Sequence, residues 1–220
     1  MLIDIHLEDR KVLVVGGGKI AERKTLQLLD SGSEVTLVGQ GFTKKLIELD
    51  KSGQVNLEKK DVVDGILPLY RKLEPSIIII ASNNKLLNEK VAKEARTLGS
   101  LVCVVDNPSL SDFFIPAVAK VDNIRIAVST KGKSPAMAGV IRSRVEKMIT
   151  MKDIHSVELQ SYARNIAKNH ILSPNERRKV LLQIIKNNKI NTFLENDQVS
   201  EAKDLVKEIK RAKVSGRSDG

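Results

Sequence analysis

Three stretches of this 220-residue chain combine residue types and spacing that could do chemistry. The first is Lys11 to Lys24, KVLVVGGGKIAERK, where Gly16-x-Gly18-x-x-Ala21 fits a dinucleotide-binding fingerprint directly after an apolar, β-branched run. Gly16 permits the tight turn, Gly18 lets the backbone approach a pyrophosphate, and Ala21 lets helix and strand pack closely. The helix expected from Ile20 onward offers unpaired N–H groups and a partial positive charge to phosphates. The same glycines would also serve a βα turn that binds nothing. The second is Asp106, which follows the apolar run LVCVV; its carboxylate could act as a general base or a metal ligand. Asp106-Asn107-Pro108 also reads as a turn in which the Asp side chain only bonds nearby amides. The third is Ser129 to Pro135, STKGKSP. Here Ser129, Thr130, Lys131, Gly132, Lys133 and Ser134 gather hydroxyls and cations at a helix start, which suits carboxylates or phosphates. The G-x-x-x-x-G-K-[ST] spacing of a phosphate-cradling loop is absent, and a solvated loop with a good N-cap is the plainer reading.

These residues need elements to hold them. Apolar runs at Val12–Val15, Glu34–Val38, Val55–Leu57, Ile77–Ala81 and Leu101–Val105 predict strands. Helical spacing over Ala21–Ser31, Phe42–Ser52 and Leu86–Leu98, with Gly32, Gly53 and Gly99 as stops, predicts helices between them. Asp61 to Arg71 is ambiguous because Pro68 would interrupt a helix. The alternation of strands and helices from residue 11 to 106 predicts an α/β fold with a Rossmann-like doubly wound parallel sheet, whose ligands lie beyond the C-terminal strand ends. The residues to inspect are therefore Gly16–Ile20, Gly39–Gly41, Ser82–Asn84 and Asp106–Pro108. Leu2–Leu7 alternates as an edge strand or an extended lead-in. Ile124–Ser129 predicts a half-exposed strand, and Ser134-Pro135 an N-cap with a proline in first helical position. Beyond residue 151 three helices are expected, at Ile154–His170, Pro174–Asn188 and Val199–Val214, with Ser173–Glu176 as a capping box.

The usual ribose-binding acid is missing. About 20 residues past the glycines the chain reads Gly39-Gln40-Gly41, with no Asp, Glu or Arg; Lys44 and Lys45 come a little later. Gln40 could contact the ribose hydroxyls and Gly41 allows close backbone approach, or the segment is simply a turn. The residues alone do not choose between NAD and NADP.

Composition narrows the function classes. There are 14 Lys/Arg against 9 Asp/Glu in residues 151–220, and 23 against 18 before them, so the net charge of +10 is spread evenly. With no basic tail and six Phe and Tyr in all, no nucleic-acid platform is expected. A diffuse positive field suits polyanionic small molecules. No run of about 18 apolar residues predicts a membrane span, and no signal-peptide layout is present. One cysteine, Cys103, excludes an intrachain disulfide, suits a reducing cytoplasm and reads as a core thiol. Three scattered histidines, His6, His155 and His170, read as surface or capping residues, and no structural metal site is expected.

Taken in order, VLVVGGGKIAERK, the AxNNxxLNEKV pattern at Ala81–Val91, VVDNP at 104–108, FFIPAV at 113–118 and AVSTKGKSPAMA at 127–138 resemble the precorrin-2 dehydrogenase family, the N-terminal module of siroheme synthases. The resemblance is close over residues 1–150 and generic beyond. It implies NAD-dependent oxidation of precorrin-2 to sirohydrochlorin, and in some members insertion of ferrous iron as a substrate. It makes Asp106 the catalytic residue and assigns Gly16, Gly18, Lys19, Ile20, Gln40, Gly41 and Ser82 to the cofactor. Asn107, Ser129, Thr130, Lys131, Gly132 and Ser134 fall to the tetrapyrrole, whose acetates and propionates a basic, hydroxyl-lined loop would suit. It further implies a homodimer. With the residue patterns and the lone cysteine, the expectation is a cytoplasmic protein divided into an NAD-binding domain (1–112), a small α+β dimerisation and substrate-binding segment (113–150), a helical C-terminal domain (151–214) and a disordered tail (215–220). Two departures stand out. Ser82-Asn83-Asn84 replaces a Thr-Asp-Asp common in the family, and the 220 residues leave no room for the methyltransferase domain some relatives carry. Outside the family, the same fold could serve an NAD(H)-sensing module without chemistry, or an oxidoreductase for another anionic substrate.

Overall fold

The computed structural model describes residues 2–63 and 65–215. The chain divides into two compact units, Met1–Ile115 and Pro116–Gly220. In the first, the five apolar runs become parallel strands: β1 (Lys11–Val15), β2 (Glu34–Gly39), β3 (Val55–Lys59), β4 (Ile77–Ile80) and β5 (Leu101–Val104). They are ordered β3-β2-β1-β4-β5. Between them run α1 (Lys19–Leu29), α2 (Lys44–Lys51), α3 (Leu67–Leu73) and α4 (Lys85–Thr97). Alternate residues of the strands feed opposite faces. Val12, Val14, Val35, Leu37, Ile77 and Ile79 pack with Ala21 and Leu28 of α1 and Leu46 and Leu49 of α2. Leu13, Val15, Ile78, Ile80, Val102 and Val104 pack with Leu69 of α3 and Val91, Ala92 and Ala95 of α4. A sheet covered on both faces needs such unbroken β-branched runs, each buried side chain being worth about 1.5–3 kcal/mol.

Several expectations shift in detail. Leu2–Leu7 forms no strand and is an exposed lead-in apart from Leu7, which packs against the core. Pro68 lies in the first turn of α3 and so begins that helix instead of interrupting one. β3 runs two residues past Leu57, because its register with β2 continues to Gly39 opposite Lys59.

In the second unit, β6 (Ala117–Val121) and β7 (Ile124–Val128) form an antiparallel hairpin, followed by α5 (Pro135–Met148). Then come α6 (Met151–His170), α7 (Pro174–Ile185), α8 (Asn188–Glu195) and α9 (Val199–Ser215). Their core is Leu159, Ala163, Val180, Ile184, Ile190, Leu194, Ala202 and Val206. α8 is an unanticipated helix: α7 stops at Ile185 with Lys186 as its C-cap, and Asn187 at once caps α8 by accepting from the Ile190 N–H at 3.1 Å. A reciprocal capping box lies at Thr150 and Asp153; at Ser173 the hydroxyl accepts from the Glu176 N–H at 3.5 Å. Of the expected disordered tail, Ser215 closes α9, and 216–220 lie outside the described residues. No helix among the described residues is long and apolar enough to cross a membrane.

Candidate active site

The glycine turn is locked on two sides and open on the third. Gly16 has φ +122°, and a Cβ there would lie 2.5 Å from the Ala81 carbonyl oxygen at the end of β4. A Cβ on Gly17 would lie 2.0 Å from the Gly41 carbonyl oxygen. Gly17 also accepts a hydrogen bond from the Thr43 N–H at 3.1 Å, and Gly16 donates to Val38 at 2.8 Å. The fingerprint spacing gives Gly17 no role; in the structure it is the residue that lets two loops touch. A Cβ on Gly18, in contrast, would meet nothing within 4 Å.

Gly18 is the N-cap of α1 and supplies no side-chain cap. By comparison, α2, α4, α5, α6, α7 and α8 are each capped by the side chain of Thr43, Asn84, Ser134, Thr150, Ser173 or Asn187. The Glu94 carboxylate serves the start of α3, accepting from the Ile66 N–H at 2.8 Å. Open space at Gly18 and uncapped amides at the start of α1 fit a dinucleotide pyrophosphate. Ala21 is fully buried, as close packing of α1 on the sheet requires. Lys19 is exposed and 3.6 Å from Glu22; Ile20 is exposed.

Along the same C-terminal sheet edge, Gln40 follows β2 with Gly41 beside it. The Gln40 amide donates to Asp61 Oδ2 at 2.5 Å, and Asp61 Oδ1 accepts from the Val63 N–H at 3.1 Å. Sequence spacing missed Asp61 because it follows β3, in the stretch with no clear periodicity. Ser82 follows β4 and is stitched to α4: its hydroxyl donates to Asn88 Oδ1 at 2.5 Å, and the Asn88 amide returns a bond to the Ser82 carbonyl at 3.0 Å. Asn84 caps α4 through the Leu87 N–H.

Asp106 follows β5, is exposed, and has no hydrogen bond or ion pair among the described residues. The local turn is made by its neighbour. Asn107 Oδ1 accepts from the Ser109 N–H at 3.1 Å and from the Ser109 hydroxyl at 2.7 Å. The Asp106 carboxylate is thus left available.

In the second unit, the loop from Ser129 to Ser134 is built by its own hydroxyls. Ser129 accepts from the Lys131 N–H at 3.2 Å, Thr130 from the Ser134 N–H at 3.1 Å, and Ser134 from the Met137 N–H at 3.2 Å. Lys131 and Gly132 both take left-handed backbone, at φ +53° and +78°. The exposed ammonium groups of Lys131 and Lys133 have no carboxylate partner among the described residues. The candidates therefore fall into two groups, one on the sheet edge of the first unit and one in this loop.

Cys103 is buried, and burial pushes its thiol pKa up, which keeps it protonated in the core. Burial likewise lowers the Lys24 pKa. His155 departs from the expected surface role. Its Nε2 is 3.3 Å from Asp197, and Nδ1 is buried without a hydrogen-bond partner among the described residues. His170 Nδ1 lies 2.9 Å from the Ile166 carbonyl oxygen at the end of α6.

Residues 3–117 match a family model described as "Putative NAD(P)-binding". A precorrin-2 dehydrogenase of Methanosarcina barkeri is 33% identical over 196 residues, covering 87% of this chain and 86% of that protein. The chain belongs to the precorrin-2 dehydrogenase family. A second member, siroheme synthase 2 of Yersinia enterocolitica, is 26% identical over 214 residues, or 97% of this chain; the chain spans 44% of that protein's length. The solved structure of SirC, a precorrin-2 dehydrogenase, superposes with a TM-score of 0.73 at 22% identity, covering 94% of this chain and 99% of that one. That likeness establishes that the family's fold is shared.

Proposed function

We propose that the protein oxidises precorrin-2 to sirohydrochlorin with NAD in siroheme synthesis. The observation that carries this reading is the unpaired Asp106 carboxylate on the same sheet edge as an open, uncapped glycine turn. The oxidation removes a hydride and a proton from the macrocycle. NAD, when bound, supplies the hydride acceptor. Gly18 and the first amides of α1 hold the pyrophosphate, Gln40 and Gly41 face the ribose, and Ser82 shapes the loop after β4. Asp106, with no internal partner to release, accepts the proton. Thr130, Ser129 and Ser134 each accept one backbone N–H and offer their O–H donors to substrate carboxylates. Lys131 supplies charge and Gly132 the turn, while Asn107 sets the Asp106 backbone.

The protein works as a cytoplasmic homodimer through residues 113–150, with residues 1–112 as the nucleotide domain and 151–214 as a helical domain. Support for the dimer comes from α5, whose Met137, Val140, Ile141 and Met148 are exposed on the chain by itself. Ferrous iron is a second substrate, inserted into the sirohydrochlorin product. Mixing the protein with precorrin-2 and NAD should produce NADH and the sirohydrochlorin spectrum, and ferrous iron should then convert that spectrum to the metallated form. Folded protein that binds NAD and leaves precorrin-2 unchanged would instead be a nucleotide sensor.

A further inference from the structure

We infer that Asp61 is the ribose-recognising acid of the nucleotide site and selects NAD over NADP. The inference rests on the dinucleotide reading of the glycine turn. In this sheet order, the acid that binds the ribose 2′-hydroxyl ordinarily stands at the end of β2. Here that place holds Gln40, which is uncharged. The β2–β3 pairing sets Gly39 opposite Lys59, so the residues just beyond each strand emerge side by side. Asp61 comes from the neighbouring strand end and receives the Gln40 amide on Oδ2. The Val63 N–H holds Oδ1. Each carboxylate oxygen keeps a further lone pair for a hydroxyl donor. Gln40, which donates through Nε2, keeps its Oε1 as a further acceptor.

Of the lysines nearby, Lys60 is 3.8 Å from Glu58, which also holds Lys72, and Lys45 is 3.6 Å from Glu48, while Lys44 and Lys59 have no carboxylate partner among the described residues. No arginine lies in the segments after β2 or β3 to receive a 2′-phosphate. A fixed carboxylate that accepts from a hydroxyl repels a phosphate dianion at the same position. Asp61 therefore acts both by attracting the correct nucleotide and by excluding the other.

Titration of NADH and NADPH fluorescence on the whole protein tests this without any turnover. Wild type should bind NADH at least about tenfold more tightly than NADPH. In Asp61→Asn and Asp61→Ala, NADH should weaken about tenfold while NADPH holds or tightens, so the preference collapses. Gln40→Ala should weaken NADH less and keep part of the preference. Asp61 is exposed, and circular dichroism of each variant confirms the fold. An unchanged NADH-to-NADPH ratio in folded Asp61 variants overturns the inference and leaves the proposed activity standing. Loss of preference in variants of a protein that does not oxidise precorrin-2 does the reverse. Binding of neither nucleotide by wild type overturns both.

Discussion

The sheet unit and the hairpin with α5 handle apolar surface in opposite ways. In β1 and β4 nearly every side chain is buried, and helices cover both faces. In β6, β7 and α5 only Ala119 and Ala138 are buried, while Met148 is 73% exposed and a Cβ on Gly139 would touch nothing. A fold that completes its own core can devote its strand ends to ligands. A segment that leaves an apolar helix face uncovered has surface to give to another chain.

Substitutions can break this contrast, beginning where the effect is largest. Asp106→Ala should lower precorrin-2 turnover about a hundredfold or more, with NADH binding and melting temperature unchanged. Full activity would remove Asp106 from the chemistry. Next, Gly17→Ala forces a Cβ into the Gly41 backbone. It should cost about 2 kcal/mol or more in the unfolding of the sheet unit, read by denaturant melts, and reduce NADH binding with it. Gly18→Ala sharpens the point. Its Cβ meets open space, so stability should hold while NADH affinity falls about tenfold.

On the other side of the comparison, Val140→Asp with Ile141→Asp should shift the light-scattering mass from dimer to monomer without changing NADH affinity. A dimer that survives both charges would place the interface elsewhere. The smallest effect belongs to the cap of α6. Thr150→Ala should cost about 1 kcal/mol in the helical unit alone. The Thr150 backbone N–H bound to Asp153 holds that carboxyl's pKa below its usual value. Its contribution is therefore present above the ordinary carboxylate pKa and disappears as pH falls through the lowered one. The deficit of Asp153→Asn against wild type, read by thermal melts, should accordingly be full at neutral pH and close in strong acid.

Much of the first unit was legible because each buried strand is a run such as Val12–Val15 or Ile77–Ile80, and a sheet covered on both faces demands that pattern. Glycine spacing and strand-end logic directed attention to Gly16–Ile20, Ser82 and Asp106 for the same reason. What escaped depends on neighbours distant in sequence. Asp61 meets Gln40 only because β2 and β3 are in register. The role of Gly17 appears only when the loop at Gly41 is laid against it. α8 was hidden because only Lys186 and Asn187 separate it from α7, and His155 because its burial is decided by helices packed around α6.

The strand order also governs how the protein is made. β1 leaves the ribosome first, but it is the central strand and remains half-paired until β4 follows. The carbonyl of Ala81 that seats Gly16 emerges directly after β4. A nascent chain holding only β1, α1 and β2 thus carries the whole fingerprint, with the Gly16 to Val38 hydrogen bond, before the β4 side of the turn exists. In the interval the open edge of an apolar central strand is exposed to chaperones or to aggregation.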